Sequence, residues 1–457
     1  MESISIDEIL HITQGELLQG TRSQAIKNVA IDSRKIKNGY LYVPIIGETN
    51  NGHDYINQAF LNGGTVCLTQ EKERNFPEGL TVVFVNSTLE AMKALASFNR
   101  HRYNLPVIAI TGSSGKTTTK DLVAAVLSQK YRTLKTEGNF NNEYGIPQTL
   151  FNLGPDNEMA VIEMGMDHRG DISKSIQIVE PDIGVITNVG LSHIERLKSQ
   201  ENIYLAKKEI LQTLKSDGIA YVNGDDGFLK KLNGEPHDFQ IRTFGIHGDH
   251  AVKALDYRSH QDGLEIQVAW EDRNERYTFN YPGEHNVYNC LVAIGLGYFY
   301  NMSQDEIQKG LDAFVPSGNR MDIFTIGETR IINDSYNANP DAMRASLDVL
   351  AALGDKHKRK IAILGDMLEM GEYGPPAHYE VGNYAKDKAD LLIGVGELGQ
   401  EIGRGYGNAG AVYQVSDAIA AGECLKAIIQ PDDIILIKAS RGMGLERVID
   451  FIKEGNR

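Results

Sequence analysis

Residues Val107 to Thr118 read Val-Ile-Ala-Ile-Thr-Gly-Ser-Ser-Gly-Lys-Thr-Thr, an apolar run that halts at two glycines and a lysine before a helical pattern runs from Asp121 to Tyr131. A short, continuous apolar run is a strand buried on both faces, which calls for a parallel sheet covered by helices. Glycine lets backbone N–H groups close around phosphate oxygens, and the following helix adds the positive end of its dipole. In such a cradle Thr111, Gly112, Ser113, Ser114, Gly115, Lys116 and Thr117 would surround the phosphates of ATP. Lys116 would reach the β- and γ-phosphates, and the Thr117 hydroxyl would ligate Mg²⁺. The full pattern G-x-x-x-x-G-K-S/T is not met, because Ile110 holds the first glycine position and only G-x-x-G-K-T remains. An ordinary strand-to-helix turn is the competing account, and a Gly-Lys-Thr at that junction favours the nucleotide.

The rest of the chain follows the same grammar. At 457 residues it exceeds what one core supports. Residues 1–103 read as a mixed α/β block with turn residues around Gly47–Gly52. In residues 104–315, strand-like runs (Val107–Thr111, Met159–Gly165, Ile183–Val189, Ile219–Asn223, Ile241–Gly245) alternate with helical stretches, as a parallel sheet requires. Between Val252 and Tyr281 the period falls to two, which predicts a small antiparallel sheet. Helical patterns return at His285–Tyr300 and Gln304–Phe314, and Val315-Pro316-Ser317-Gly318 reads as a linker. Residues 316–457 alternate again (Arg330–Asn333, Lys360–Leu364, Leu391–Val395, Val412–Val415, Asp433–Lys438), so a second doubly wound unit is expected.

A net charge of −15 argues against a general nucleic-acid or membrane-surface binder. No apolar run approaches the roughly 20 residues of a bilayer span. Met1–Glu8 lacks a basic and an apolar segment, so no secretion signal and a cytoplasmic location are expected. Cys67, Cys290 and Cys424 have no metal spacing and are expected to be buried, reduced thiols. Open parallel sheets bind ligands beyond their strands' carboxyl ends. Glu163 stands at such an end and could hold Mg²⁺ facing Thr117, or be a surface turn acid. His193, past another strand end, is a plausible metal ligand as well as a plausible loop residue. By periodicity alone Lys207 and Lys208 form a solvated helix face.

Taken together, several segments resemble one known family. They are Asp32-Ser33-Arg34, Asn51-Gly52-His53-Asp54, the phosphate loop, Gly138–Pro147 with Asn141 and Asn142, and Asn188–Glu195. Gly283–Asn289, Asp334-Ser335-Tyr336-Asn337-Ala338-Asn339-Pro340, Gly365–Gly371 and Lys438-Ala439-Ser440-Arg441 complete the set, in family order and nearly end to end. The chain resembles the Mur ligases, ATP-dependent amide-forming enzymes of bacterial cell-wall precursor synthesis. The Ser335–Pro340 and Gly365–Glu369 segments point to the branch that adds a dipeptide.

That resemblance implies a three-domain α/β architecture, with a central P-loop parallel-sheet domain and a C-terminal Rossmann-like domain. It implies ATP and two Mg²⁺ sites, one on Thr117 and Glu163, the other on His193 and a carbamylated Lys207. It implies adenine contacts from Asn286 and Asn289, which lie three apart on one helical face, and ATP contacts from Arg320 and Asp334. Substrate contacts fall to Ser33, Arg34, Asn141, Asn142, Lys438, Ser440 and Arg441. The implied substrates are UDP-N-acetylmuramoyl-tripeptide and D-alanyl-D-alanine, joined through an acyl phosphate by a monomer with no nucleic-acid or membrane partner. The alternatives are a diamino-acid-adding muramoyl ligase, a folylpolyglutamate synthase, a small-molecule kinase, and a nucleotide-gated binding module.

Overall fold

In a computed structural model of the chain, residues 1–261, 263–353 and 358–455 are described. Of the expected blocks, residue 262 of the second and residues 354–357, 456 and 457 of the third lie outside them. Three parallel-rich sheets follow one another along the sequence. Among the described residues the first has five strands, in the order Glu16–Gln19, Thr81–Phe84, Val66–Thr69, Tyr40–Tyr42 and Asn28–Ala30, with only the outermost Glu16–Gln19 antiparallel. Val66–Thr69 is buried along its length, and Val66 and Leu68 share a core with Met92 and Leu95 of the helix Thr88–His101.

The central sheet has nine strands among the described residues. Val107–Thr111, buried at every position, lies inside it between Met159–Glu163 and Ile183–Ile186, parallel to both. From Val107–Thr111 the chain runs out to the edge strand Thr133–Lys135, returns through Met159–Glu163 and crosses to the far side. Val107–Thr111 therefore ends at the switch point of the sheet, where a crevice opens between divergent connections.

The two-residue period at 252–281 does mark antiparallel pairing, but no separate sheet results. Val252–His260 pairs parallel with Gln240–Gly245, and Gly263–Trp270 and Arg273–Phe279 extend the central sheet antiparallel from it. A period of two reports one buried face and says nothing about which neighbour supplies the ladder. The buried face here, Leu264, Ile266, Val268 and Trp270, packs in one core with the helix Glu284–Phe299. That helix is apolar almost all round and shares the core with the helix Lys116–Leu127, which follows the phosphate loop.

Among the described residues the third sheet has six strands: Asp322–Ile326, Thr329–Asn333, Ile434–Lys438, Lys360–Gly365, Leu391–Val395 and Ala411–Val415. Asp322–Ile326, absent from the sequence reading, is an antiparallel edge strand whose half-buried pattern gives no strong apolar signal. No described helix is long and apolar enough to cross a membrane. All three cysteines are unpaired; Cys67 and Cys290 are buried, whereas Cys424 is only half-buried.

The helices Gly374–Ala385 and Gly399–Tyr406 cross at glycine. A Cβ on Gly382 would stand 1.9 Å from the Ile402 carbonyl oxygen, and one on Gly405 1.9 Å from that of Tyr379. Gly382→Ala is expected to destabilise the fold by about 1–3 kcal/mol, the usual cost of overpacking. Gly227→Ala, where a Cβ meets nothing within 4 Å, should stay within about 0.5 kcal/mol of the parent. Equal effects of the two substitutions in denaturant titrations would contradict the crossing.

Candidate active site

The phosphate loop is shaped by what it must touch. A Cβ on Gly112 would fall 1.8 Å from the Thr187 Oγ1, and Gly115 caps the following helix at φ +80°, a left-handed conformation suited to glycine. Ser114 is clasped from the neighbouring strand end: its N–H donates to Asn188 Oδ1 (2.9 Å), and its carbonyl accepts from Thr187 Oγ1 (2.6 Å) and Asn188 Nδ2 (3.1 Å). Lys116 Nζ donates to the Gly112 carbonyl (2.7 Å), and burial pushes its pKa down. Ser113 to Thr118 line a cavity of about 1040 Å³, whereas Thr111 and Gly112 stand behind its wall.

Glu163 lines the same cavity and is 1 % exposed. Its Oε1 accepts from Asn141 Nδ2 (2.7 Å) and its backbone N–H donates to Thr136 Oγ1 (3.0 Å), while Oε2 has no hydrogen-bond donor. A buried carboxylate oxygen without a donor is costly unless a cation joins it. Thr117, on the first turn of the loop helix, lines the same cavity, and hydroxyl plus carboxylate is a donor set Mg²⁺ accepts. Asn142 holds the turn before the helix Gly145–Leu150 by accepting from the Tyr144 and Gly145 N–H groups.

A second group of donors gathers nearby. His193, at φ +63°, places Nδ1 2.8 Å from Glu369 Oε2 and 3.4 Å from Asp167 Oδ1, yet without the alignment of a hydrogen bond. Burial, then Lys116, lowers the pKa of the ring. The donor atoms of Asp167, His193 and Glu369 lie within 4.8 Å of one another, and Arg196 bridges the two acids at 3.2 Å each. Glu369, from the third unit, was not singled out as a site residue by the sequence. Lys207 and Lys208 diverge: Lys208 is half-exposed and paired with Glu235, whereas Lys207 is 1 % exposed. Burial and then Lys116 push the Lys207 amine far below its usual pKa, and among the described residues no carboxylate comes within ion-pair distance of it.

Asn286 and Asn289 face one side of the helix Glu284–Phe299 and line the cavity. Asn289 donates to Asn286 Oδ1 (3.1 Å) and accepts from Thr119 Oγ1 (3.0 Å). Gly283 caps that helix, and Asn286 donates to the Pro282 carbonyl. Phe244, Tyr281, Tyr288 and Phe314 add an aromatic wall.

From the third unit, Arg320 lies over the Tyr336 ring at 3.5 Å, and Asp334 accepts from Lys438 Nζ (2.5 Å), Ser346 Oγ (2.6 Å) and the Met321 N–H. All three expected residues here, Arg320, Asp334 and Lys438, line the cavity. Asn339 crosses between units: its Nδ2 donates to Ser114 Oγ (2.9 Å) and Ser192 Oγ (2.8 Å), and its Oδ1 caps the helix Pro340–Ala352 through Ala342 N. The fold does not bring Ser33, Arg34, Ser440 or Arg441 to this cavity. Ser33 donates to Gln58, Arg34 is exposed and paired with Asp32, and Arg441 lies against Tyr336. Ser440 Oγ accepts from Leu368 N (2.9 Å), which steadies the loop that carries Glu369.

Comparison with known proteins agrees along the chain. Residues 25–101 match the Mur ligase family, catalytic domain; residues 110–297 the Mur ligase middle domain; and residues 319–441 the Mur ligase, glutamate ligase domain. The UDP-N-acetylmuramoyl-tripeptide–D-alanyl-D-alanine ligase of Bacillus subtilis is 35 % identical over 98 % of each chain. Crystal structure I of MurF from Acinetobacter baumannii superposes with a TM-score of 0.91 at 28 % identity, covering 99 % of each chain. MurF ligase from Thermotoga maritima in complex with ADP gives 0.82 at 25 % identity, over 94 % of this chain and 97 % of that one.

His285, on the cavity wall beside Gly283, yields a pH prediction. Burial pushes its pKa from 6.5 down to about 4. Between those values the unfolded chain binds more protons than the folded one, so stability present above pH 6.5 is lost as pH falls toward 4. The parent should lose about 1–2 kcal/mol between pH 7 and pH 5 that His285→Gln does not, allowing for partial exposure of the ring. Denaturant titrations at both pH values measure the difference, and parallel losses in parent and variant would refute it.

Proposed function

The chain belongs to the Mur ligase family, and from its site we propose that it joins D-alanyl-D-alanine to UDP-N-acetylmuramoyl-tripeptide at the expense of ATP. The single observation that carries this reading is the match over 98 % of each chain to a relative named for that reaction, and the buried Glu163 Oε2, without a hydrogen-bond donor in the wall that also holds the phosphate loop, supports the metal–nucleotide half of it. Relatives whose names state this activity match nearly the whole length, and an ADP complex among the structural neighbours supports the nucleotide. We take the three units as residues 1–103, 104–315 and 316–457, since each sheet closes within one of them. On family likeness we take the chain as a monomer that works in the cytoplasm.

A carboxylate is a poor acyl donor because its leaving group would be oxide. In the first step the tripeptide carboxylate attacks the γ-phosphorus of ATP, an O–P bond forms, the bond to the β-phosphate oxygen breaks, and ADP leaves. In the second, the amine of D-alanyl-D-alanine attacks the acyl carbon, a C–N bond forms through a tetrahedral intermediate, a proton is lost, and phosphate departs. No side-chain nucleophile is required. Lys116 leaves the Gly112 carbonyl for the phosphates, and the loop N–H groups and helix end hold the chain of phosphates in line. Thr117 and Glu163 would hold one Mg²⁺ and His193 and Lys207 a second, and bound there the ions would supply positive charge against the transferring phosphoryl group. Lys207 serves as its carbamate: the neutral amine adds to CO₂, a N–C bond forms, one proton leaves, and an anionic oxygen donor results. The depressed basicity of this buried amine supports that chemistry. Asn286 and Asn289 offer both a donor and an acceptor to adenine. Arg320 and Asp334 close on ATP with the third unit, and that closure excludes the water that would hydrolyse the acyl phosphate. Asn141 and Asn142 line the cavity beside Glu163, where the acceptor carboxylate must lie, and Lys438 reaches it from the third unit. Ser33 and Arg34 are assigned to the uridine diphosphate, and Ser440 and Arg441 to the dipeptide end, on family likeness.

The test is phosphate release from ATP and Mg²⁺ with UDP-N-acetylmuramoyl-tripeptide, with and without D-alanyl-D-alanine, together with product mass. Dipeptide-dependent phosphate and a UDP-pentapeptide mass are expected. Release only with a UDP-muramoyl-dipeptide and a diamino acid would move the chain to the neighbouring ligase. Lys116→Ala should lower turnover at least about a thousandfold with the melting transition retained.

A further inference from the structure

Lys120 is a lysine the expected chemistry does not use, and it is 1 % exposed. It lies one helical turn beyond Lys116 on the loop helix, so the two ammonium groups share a face. Its Nζ donates to the Thr136 carbonyl (2.8 Å) and stands 3.2 Å from Asp121 Oδ1 and 4.0 Å from Glu163 Oε2, the oxygen without a donor. Thr136 is the common brace, since its hydroxyl accepts from the Glu163 N–H. Lys135 also reaches Asp121 Oδ1 (2.8 Å). A buried ammonium is tolerated only among compensating charges. Here Lys120 and Lys135 balance Asp121 and Glu163, so the set is neutral before any ion enters, and Lys116 adds a further positive charge beside it.

A dication seated on Glu163 therefore finds no net negative charge within this set until a polyphosphate supplies it. We propose that Lys120 is a positioning residue that makes the Thr117–Glu163 seat conditional on the nucleotide, so that the divalent ion enters with the triphosphate and not ahead of it. The ammonium is near enough to oppose a bare cation, yet at 4.0 Å and bound to Thr136 it leaves Oε2 open to accept one. The inference rests on the reading of Glu163 as a ligand.

The experiment is Mn²⁺ binding followed by electron paramagnetic resonance on the full chain, with and without a non-hydrolysable ATP analogue. In the parent, Mn²⁺ should bind at least about tenfold more weakly without the nucleotide; a unit charge at this distance is strong enough for such a factor. Lys120→Met should bind Mn²⁺ at least about tenfold more tightly than the parent when nucleotide is absent, and Lys120→Arg should restore the parent's weak binding. Lys120→Gln, which keeps an N–H for the Thr136 carbonyl, is read in place of Lys120→Met if that variant fails to fold. Equal parental affinity with and without nucleotide, or unchanged affinity in the folded neutral variant, would overturn the proposal. Glu163→Gln separates the two readings: if it leaves Mn²⁺ binding to the nucleotide complex untouched, the seat itself is wrong, whereas if it abolishes binding while the Lys120 variants change nothing, only the role of Lys120 is wrong.

Discussion

Everything at the centre of this molecule depends on the parallel pairing of Val107–Thr111 between Met159–Glu163 and Ile183–Ile186. Parallel strands end on the same side, so these two pairings place the phosphate loop, Glu163 and the Thr187–His193 segment along one edge. Thr187 and Asn188 then clasp Ser114 with three hydrogen bonds, and the loop is shaped before any ligand arrives. Slip any of these strands and the loop loses its clasp while the carboxylate turns from the cavity.

A second dependence runs between units. The central and third units meet through short, polar contacts: Asn339 on Ser114 and Ser192, Glu369 against His193 and Arg196, and Ser317 of the linker donating to Asp121 Oδ2 (2.7 Å). Beside them, Val189, Ile194 and Leu197 of the central unit belong to the same buried apolar cluster as Ala338, Met367 and Met370 of the third, so the junction combines polar contacts that water can replace with apolar packing that it cannot. The polar share of that junction is compatible with the closure of the third unit proposed above.

How much of this was legible beforehand follows from how local each feature is. The loop was readable because glycine and lysine spacing acts on the backbone at hand, and Glu163 and His193 because strand ends are readable. Lys207 was not distinguishable from Lys208 by periodicity, since only packing of the helix Gln200–Lys208 decides which of two adjacent lysines turns inward. Asn339 and Glu369 stand in the family segments but carry no readable role, because their partners lie far off in the chain; Ser114 and Asn339 are 225 residues apart. The period at 252–281 specifies the strands but not their place at the end of the central sheet, because ladder partners leave no mark on period. Ser33, Arg34, Ser440 and Arg441 carried family likeness but no local signal tying them to the cavity, and the fold leaves them outside it.

Asn339 shows how two duties can narrow the choice at one position. Serine, threonine, aspartate and asparagine all cap helices well. Of these, only asparagine has an acceptor for the helix and a separate donor for a second partner at the tip of one short side chain. If the third unit parts from the central one as proposed, the donor half would lose its serines while the acceptor half would keep the helix start intact. Drift among the four good caps, harmless at an ordinary helix, is thus closed off here: a replacement that satisfies the helix still severs the tie between the third unit and the phosphate loop.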